Sequence, residues 1–216
     1  MNYKYLVFDL DNTLYPKKSG MLKAIDERID SFIRESLDIP AEEITKTRFD
    51  YWKKYGTTLG GLIIHHNINP KDYFNYIYQL EPKDYIGPDP VLREILKNLS
   101  MNHVVFSNSP REYIGRVLDV LEISDLIQKI YDIKFLRYLG KPNLTSYSMV
   151  LQDLNTSGNE CIMFEDTVAN ALGAQEAGMT AVLVGEEKVP EIKWHIREIR
   201  DLSSIIPKII KSRITA

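Results

Sequence analysis

The segment Tyr5–Thr13, YLVFDLDNT, decides the fold, because a short apolar run passes directly into a cluster of acidic and polar residues. The run Tyr5–Phe8 is too short for a helix and rich in residues that favour strands, so it predicts a buried strand that ends at Asp9. In an open α/β sheet, ligands bind in the crevice beyond the carboxyl ends of the strands. The polar residues from Asp9 to Thr13 therefore stand where a binding site is expected.

Downstream of residue 88 the sequence alternates between strand and helix patterns. Short apolar runs predict four further strands, at residues 103–106, 129–133, 161–164 and 180–184, the last of which we expect to be the final strand. Amphipathic stretches between them predict helices at residues 110–121, 144–154 and 168–177. Repeated strand–helix–strand units predict a doubly wound parallel sheet, a Rossmann-like α/β core with helices on both faces.

Between the first strand and this alternation the sequence predicts only helices. Their expected positions are residues 22–37, a helix beginning near Pro40 and ending near Gly56, and residues 59–66 and 71–80. The interpretation is an α/β core made of residues 1–16 and 88–216, with an inserted all-helical cap at residues 17–87. Tyr15–Pro16 and Gly87–Pro88 are natural hinges between the two.

Composition narrows the class of protein. The 216 residues are 44% hydrophobic and 26% charged, with 27 Lys and Arg against 30 Asp and Glu. Without a basic excess, neither a nucleic acid polymer nor a membrane surface is an expected partner. The single cysteine, Cys161, cannot form an intramolecular disulfide, and no apolar run is long enough to span a membrane. We therefore expect a cytoplasmic protein.

Polar clusters follow three of the predicted strands. They are Asp9–Thr13, Ser107–Ser109 and Glu165–Thr167, and the loop Gly140–Pro142 adds Lys141 at the same edge. Any one of these clusters alone is more simply a helix cap or a turn. Their convergence on one edge of one sheet favours a functional site.

The charge at that edge predicts a bound cation. Four carboxylates, from Asp9, Asp11, Glu165 and Asp166, face the single ammonium of Lys141. Two like charges about 4 Å apart repel by about 4 kcal/mol at an effective dielectric constant of about 20. Such a cluster either raises the pKa values of its acids or holds a cation, and hard carboxylate oxygens favour Mg²⁺.

With Mg²⁺ and Lys141 in place, a phosphate dianion becomes an acceptable ligand. Ser107 and the backbone amides around Asn108 can donate to its oxygens, together with the N-terminus of the helix that begins near Pro110. The side chains of Asp9 and Asp11 diverge at a strand end, so one can attack phosphorus while the other transfers a proton. The expected reaction is hydrolysis of a phosphate ester through an aspartyl-phosphate.

These motifs occur in the order that the haloacid dehalogenase-like hydrolase superfamily shows. The matching segments are Asp9–Tyr15, Ser107–Ser109, Lys141–Pro142 and Phe164–Asn170, so the chain resembles this superfamily over nearly its whole length. The resemblance implies Asp9 as nucleophile and Asp11 as general acid and base. Mg²⁺ would be held by Asp9, Asp166 and the backbone carbonyl of Asp11.

The same resemblance assigns the remaining site residues. Ser107 and Lys141 would bind the phosphoryl group, and Glu165 would stand behind the metal or its waters. Thr13 and Asn170 receive supporting roles. The sequence departs from the family at two positions, because Glu165 stands where the first of two paired acids is often Asp, and Asn170 stands where some relatives carry an acid.

The insertion resembles the cap of the pyrimidine 5′-nucleotidase group. The resemblance rests on Asp9–Pro16 and Lys54–Leu62, and it implies a nucleoside 5′-monophosphate as substrate, with a pyrimidine base favoured. Aromatic residues expected to line the cleft between cap and core are Tyr15, Trp52 and Tyr55.

Three alternatives stay open. The enzyme could hydrolyse another small metabolite, such as phosphoglycolate or a sugar phosphate, and phosphoglycolate would require an arginine, for which Arg48 is the cap candidate. A 2-haloacid dehalogenase would use the same fold, but it has no alkoxide for Asp11 to protonate. A non-catalytic phosphate-sensing protein would not need the complete set of acids.

Overall fold

The computed structural model describes residues 3–37 and 39–214. Within that part of the chain the strands are β1 (Tyr5–Phe8), β2 (Asn102–Phe106), β3 (Lys129–Tyr131), β4 (Cys161–Glu165), β5 (Thr180–Val184) and β6 (Trp194–Ile196). The first helices are α1 (Met21–Ser36), α2 (Ala41–Tyr55), α3 (Thr58–His66), α4 (Pro70–Ile77) and α5 (Pro90–Lys97). The remaining helices are α6 (Arg111–Val120), α7 (Leu144–Asp153), α8 (Val168–Glu176) and α9 (Leu202–Ile214).

The strands form one parallel sheet in the order β3-β2-β1-β4-β5-β6. The order runs outward in both directions from β1, which is the doubly wound arrangement, so the predicted fold class is confirmed. The central position of β1 explains its apolar sequence: Leu6, Val7 and Phe8 are completely buried, as expected for a strand covered by helices on both faces. Because every strand runs in the same direction, their carboxyl ends meet at one edge.

The prediction that the strand at residues 180–184 is the last one is wrong. The chain continues into β6, which extends the parallel ladder beyond β5 with Val182 opposite Trp194 and Val184 opposite Ile196. It then enters α9, which carries Pro207 inside the helix. Three residues are too few to show a strand period, and an internal proline argues against a helix, so neither element has a clear sequence signal.

Helices α1 to α5 lie between β1 and β2 in the chain, the first four of them within the insertion, and the described residues between those strands contain no further strand. Thr57 caps α3 by accepting a hydrogen bond from the amide of Gly60 at 3.0 Å. A Cβ atom at position 61 would lie 2.1 Å from Cγ of Tyr51, so only glycine permits the close packing of α3 on α2. The division into core and cap at residues 16 and 88 stays a prediction.

Apolar layers cover both faces of the sheet. Val7, Val104 and Phe106 belong to the smaller layer, and Leu6 and Phe8 belong to a larger one that continues into the helices of the insertion. The cap is thus packed onto one side of the core by continuous apolar contact. Among the described residues, we find no helix with the length and hydropathy that crossing a membrane requires.

Candidate active site

The acids at the ends of β1 and β4 are brought together by strand register. Phe8 pairs with Phe164, and the amide of Asp9 donates to the carbonyl of Phe164 at 2.9 Å. As a result, Asp9, Glu165 and Asp166 each offer a carboxylate oxygen within 4.8 Å of the others. Asp9 and Glu165 are buried. Three of the four acids of the predicted cluster, all except Asp11, therefore form a compact group.

Lys141 stands between two of these acids. Its Nζ donates to Oδ1 of Asp9 at 2.7 Å and to Oε2 of Glu165 at 2.6 Å, and its side chain is only 1% exposed. The side chain of Asn108 fixes the Lys141 backbone, donating from Nδ2 to its carbonyl at 3.0 Å and accepting from its amide at 2.7 Å. The Asn108 side chain therefore orients Lys141, so a contact from Asn108 to phosphate would fall to its backbone amide.

The protonation of this cluster is set by burial. Burial first, and then the charge of Glu165, raises the pKa of Asp9 to about 7, although Lys141 partly offsets both effects. Burial also raises the pKa of Glu165 and of Asp166. Burial opposes the charge on Lys141, but the attraction of Asp9 and Glu165 outweighs it and raises the Lys141 pKa. One ammonium does not compensate three adjoining carboxylates.

Two residues of the sequence motifs that contain these acids carry a buried oxygen that lacks a hydrogen-bond partner within the described part of the chain. Oγ1 of Thr13 and Oδ1 of Asn170 are buried without a hydrogen-bond partner in the described residues. Asp166 accepts from Nδ2 of Asn12 at 3.3 Å and from Oγ1 of Thr167 at 3.2 Å. Hard carboxylate oxygens in excess over the single ammonium of Lys141 fit Mg²⁺ better than a transition metal.

Asp11 lies in a different environment from Asp9. Its Oδ1 accepts hydrogen bonds from the hydroxyls of Tyr15 and Tyr113, the latter at 2.9 Å, and its Oδ2 accepts from Oγ of Ser109 at 2.9 Å. Burial raises the pKa of Asp11, and the three hydroxyls partly offset this effect. Asp9 is thus paired with an ammonium, whereas Asp11 is held by neutral donors.

Ser107 follows β2 directly, at its carboxyl end. Its amide donates to the carbonyl of Tyr131 at 3.0 Å, and its Oγ accepts from the amide of Ser109 at 3.1 Å. The residue is buried. These contacts fix Oγ as an acceptor on one side and leave its proton for another partner.

A cavity of about 430 Å³ opens between the core edge and the cap. Asp11, Asn108 and Ser109 line it from the core, and the rest of its wall is mainly apolar side chains of the cap, including Trp52. Two of the three aromatic residues expected at the cleft lie elsewhere. Tyr15 is buried against Asp11, and the hydroxyl of Tyr55 is hydrogen-bonded to Nε2 of His65 at 2.7 Å.

Three residues at this site carry no role in the sequence analysis. Ser109 falls inside the quoted segment Ser107–Ser109, so its position was visible although its contact with Asp11 was not. Tyr113 and Tyr78 were not identified, because aromatic residues at helical spacing are usually core. Only the fold shows that their hydroxyls converge near Asp11.

Three features define the class of protein to which this chain is compared. They are a doubly wound parallel sheet with acids at the carboxyl ends of adjacent strands, a buried lysine between those acids, and a helical insertion after β1. A family model described as haloacid dehalogenase-like hydrolase matches residues 3–178. The chain therefore belongs to the haloacid dehalogenase-like hydrolase family.

Individual relatives differ in what their names describe. The chain is 27% identical over 195 residues to phosphate metabolism protein 8 of Saccharomyces cerevisiae, covering 83% of this chain but only 61% of that protein's length. β-Phosphoglucomutase from Clostridium difficile superposes with a TM-score of 0.66 at 19% identity, covering all of both chains. L-2-haloacid dehalogenase from Xanthobacter autotrophicus superposes with a TM-score of 0.62 at 13% identity, covering 95% of this chain and 98% of the dehalogenase. The two structures show a shared fold and leave the reaction open.

Proposed function

We propose that the protein is a magnesium-dependent phosphomonoesterase that works through an aspartyl-phosphate on Asp9. The observation that carries this proposal is the contrast between the two acids of the first motif. Asp9 is held through Oδ1 by Lys141, whereas Asp11 lies among hydroxyls and lines the cavity. We therefore assign attack on phosphorus to Asp9 and proton exchange with the leaving group to Asp11.

In the first half of the reaction, a carboxylate oxygen of Asp9 attacks phosphorus and the bond from phosphorus to the ester oxygen breaks. Asp11 donates its proton to the departing alkoxide, which leaves as an alcohol. In the second half, Asp11 takes a proton from water, the water oxygen attacks phosphorus, and the bond to Asp9 breaks. Inorganic phosphate leaves and both acids return to their starting states.

One ammonium group and one hydroxyl group of the chain stabilise the negative charge of the phosphoryl group. Lys141 supplies the positive charge next to Asp9, and the hydroxyl group of Ser107 donates a hydrogen bond to a phosphoryl oxygen. Asp9, Asp166 and the backbone carbonyl of Asp11 would hold Mg²⁺, with Glu165, Thr13 and Asn170 behind them. When bound, the ion neutralises the negative charge that the phosphate and the acids bring together.

The cap cavity supports a nucleoside 5′-monophosphate as substrate, with a pyrimidine base favoured. Its apolar wall and the ring of Trp52 suit a flat base. Arg48, which phosphoglycolate would need, is engaged by Asp26 and by Asp30, the latter at 2.7 Å. Two acids around one arginine disfavour an anionic leaving group. Sugar phosphates and phosphoglycolate are the alternative substrates.

The partner in this proposal is a small-molecule phosphate ester and neither a nucleic acid polymer nor a membrane. The net charge of −3 supports this choice, because polyanions would be repelled. We place the activity in the cytoplasm, where the buried thiol of Cys161 stays reduced.

A substrate screen tests the proposal. Purified protein with Mg²⁺ is offered UMP, CMP, ribose 5-phosphate, phosphoglycolate and p-nitrophenyl phosphate, and the released phosphate is measured. A separate assay with 2-chloropropionate measures released halide. We expect the highest kcat/KM for UMP or CMP. Preference for a sugar phosphate or phosphoglycolate would contradict the nucleotide assignment alone. Halide release from 2-chloropropionate without phosphate release would favour the dehalogenase alternative, and no turnover would favour a phosphate-sensing protein.

A further inference from the structure

Tyr78, the residue that follows α4, connects the cap to the acid of the core. Its hydroxyl donates to Oγ of Ser109 at 2.9 Å, and Oγ of Ser109 donates in turn to Oδ2 of Asp11 at 2.9 Å. Tyr78 and Ser109 also line the cavity beside Asp11. A chain of two hydrogen bonds thus runs from the cap to the carboxyl group to which the proposed function assigns proton transfer.

The second oxygen of Asp11 is held through the same tyrosine. The ring of Tyr78 stacks on the ring of Tyr113, with centroids 4.3 Å apart and planes 29° from parallel. The Tyr113 hydroxyl donates to Oδ1 of Asp11 at 2.9 Å. Tyr78 therefore contacts one donor to each oxygen of Asp11.

The backbone around Tyr78 is fixed to the core. Arg116, on the same helix as Tyr113, donates from Nη2 to the carbonyl of Tyr78 at 2.8 Å and from Nη1 to the carbonyl of Leu80 at 2.9 Å. The end of the cap is therefore joined to α6, the helix whose Tyr113 contacts Asp11. A displacement of the residues after α4 would alter the donors on both oxygens of Asp11.

We propose that Tyr78 is a positioning residue that makes the orientation of Asp11 depend on the position of the cap. The inference rests on the proposed function, because it gives a role to the acid assigned there. A general acid must lie within hydrogen-bond reach of the leaving oxygen, and misplacement by about 1 Å can cost about 100-fold in rate. Through Ser109 and Tyr113, Tyr78 is linked to both oxygens of the Asp11 carboxyl group, of which Oδ1 also accepts from Tyr15.

Tyr78→Phe separates this role from packing. Phenylalanine retains the ring that stacks on Tyr113 and removes only the hydroxyl that donates to Ser109. If Tyr78 serves packing alone, the variant keeps the activity of the parent protein. If the hydrogen bonds from Tyr78 through Ser109 orient Asp11, kcat/KM falls most for the substrates whose leaving groups most need a proton.

The test compares leaving groups through kcat/KM, which reports the steps up to departure of the leaving group. Ribose 5-phosphate leaves as an alkoxide and needs the acid, whereas p-nitrophenyl phosphate leaves as a stable phenolate. For Tyr78→Phe we expect kcat/KM to fall roughly tenfold with ribose 5-phosphate and less than about twofold with p-nitrophenyl phosphate. Ser109→Ala breaks the same chain from the core side and is expected to give the same pattern.

Tyr76→Phe is the matched control. This tyrosine lies on α4, and its hydroxyl donates to Glu35 at 2.8 Å, away from Asp11. It should leave both substrates unaffected. An equal loss with both substrates in Tyr78→Phe and Ser109→Ala, or no loss with either, would overturn the positioning role. Absence of phosphate release by the parent protein with every ester would contradict the proposed function itself.

Discussion

A basic side chain stands between two carboxylates in both regions of this molecule, but the two groupings differ in burial. In the core, Lys141 bridges Asp9 and Glu165, and all three side chains are at least about nine-tenths buried. In the cap, Arg48 bridges Asp26 and Asp30, whose side chains are 50% and 35% exposed. The core grouping also adjoins the carboxylate of Asp166, which no second lysine or arginine balances in the described residues.

This difference in burial suggests that the core edge carries out the reaction and that the cap selects the substrate. Because water screens the acids of the cap, the ion pairs of Arg48 contribute only modestly to the free energy of unfolding. The core acids are withdrawn from water, which raises the pKa of Asp9 to about 7. Three clustered carboxyl groups beside the single ammonium of Lys141 suit a metal ion. The core edge therefore contains what a phosphoryl reaction requires, and the cap offers shape and apolar surface to the rest of the substrate.

The largest expected effect comes from neutralising the nucleophile. Asp9→Asn should reduce kcat by at least about 10³-fold, because an amide oxygen cannot form the acyl-phosphate. The measurement is phosphate release from p-nitrophenyl phosphate by folded protein. Asp50→Asn, an exposed acid on α2, is the matched control and should leave the rate unchanged. If Asp9→Asn retained more than a few per cent of the parent activity, Asp9 at the core edge would not be the nucleophile.

Metal removal should come next in size. EDTA should reduce hydrolysis to background and added Mg²⁺ should restore it, since the uncompensated acids would otherwise repel a phosphate dianion. Asp166→Ala should raise the Mg²⁺ concentration at half-maximal rate at least about tenfold, because it removes one of three clustered carboxylates. A titration of rate against Mg²⁺ gives both results. Full activity in the chelator would instead favour the dehalogenase alternative.

The two cation groupings can be compared directly by unfolding. Lys141→Met leaves two buried acids facing each other and should lower the free energy of unfolding by about 3 kcal/mol. Arg48→Met leaves acids that water can reach and should cost about 1 kcal/mol. Urea denaturation at neutral pH, without added metal, measures both. Equal losses would show that burial does not distinguish the core grouping from the cap grouping.

The smallest expected effect concerns the substrate. Trp52→Ala should reduce kcat/KM for UMP roughly tenfold, by removing a ring on which a base can stack, and should leave hydrolysis of p-nitrophenyl phosphate near its starting rate. Ile64→Ala, an exposed apolar residue of α3 outside the cavity wall, is the control. A parallel loss with both substrates in Trp52→Ala would mean that the cap does not select the base.

The sequence was most informative where local chemistry and strand position coincide. The apolar run of β1 predicted a strand end at Asp9, and a parallel sheet then required Asp9, Glu165 and Asp166 to meet. Lys141 was expected at the same edge, and the structure places its ammonium 2.7 Å from Asp9. For these residues the fold class alone implied proximity.

Contacts made by side chains from distant helices were not predictable in this way. Tyr78 and Tyr113 fall at helical spacing, which encodes burial but not the direction of a hydroxyl. For the same reason Tyr55 was assigned to the cleft, although it bonds to His65, and the hold of Asn108 on Lys141 went unrecognised. Strand β6 was missed because three residues cannot display a period.

Trapping the covalent intermediate tests the central claim most directly. In Asp11→Asn, the second half of the reaction is slowed because no carboxylate takes the proton from water, so a phosphoryl group should accumulate on the protein. After incubation with p-nitrophenyl phosphate and Mg²⁺, acid quenching and peptide mass spectrometry should find that group on Asp9. Phosphate on another residue, or steady phosphate release with no adduct on Asp9, would contradict the account.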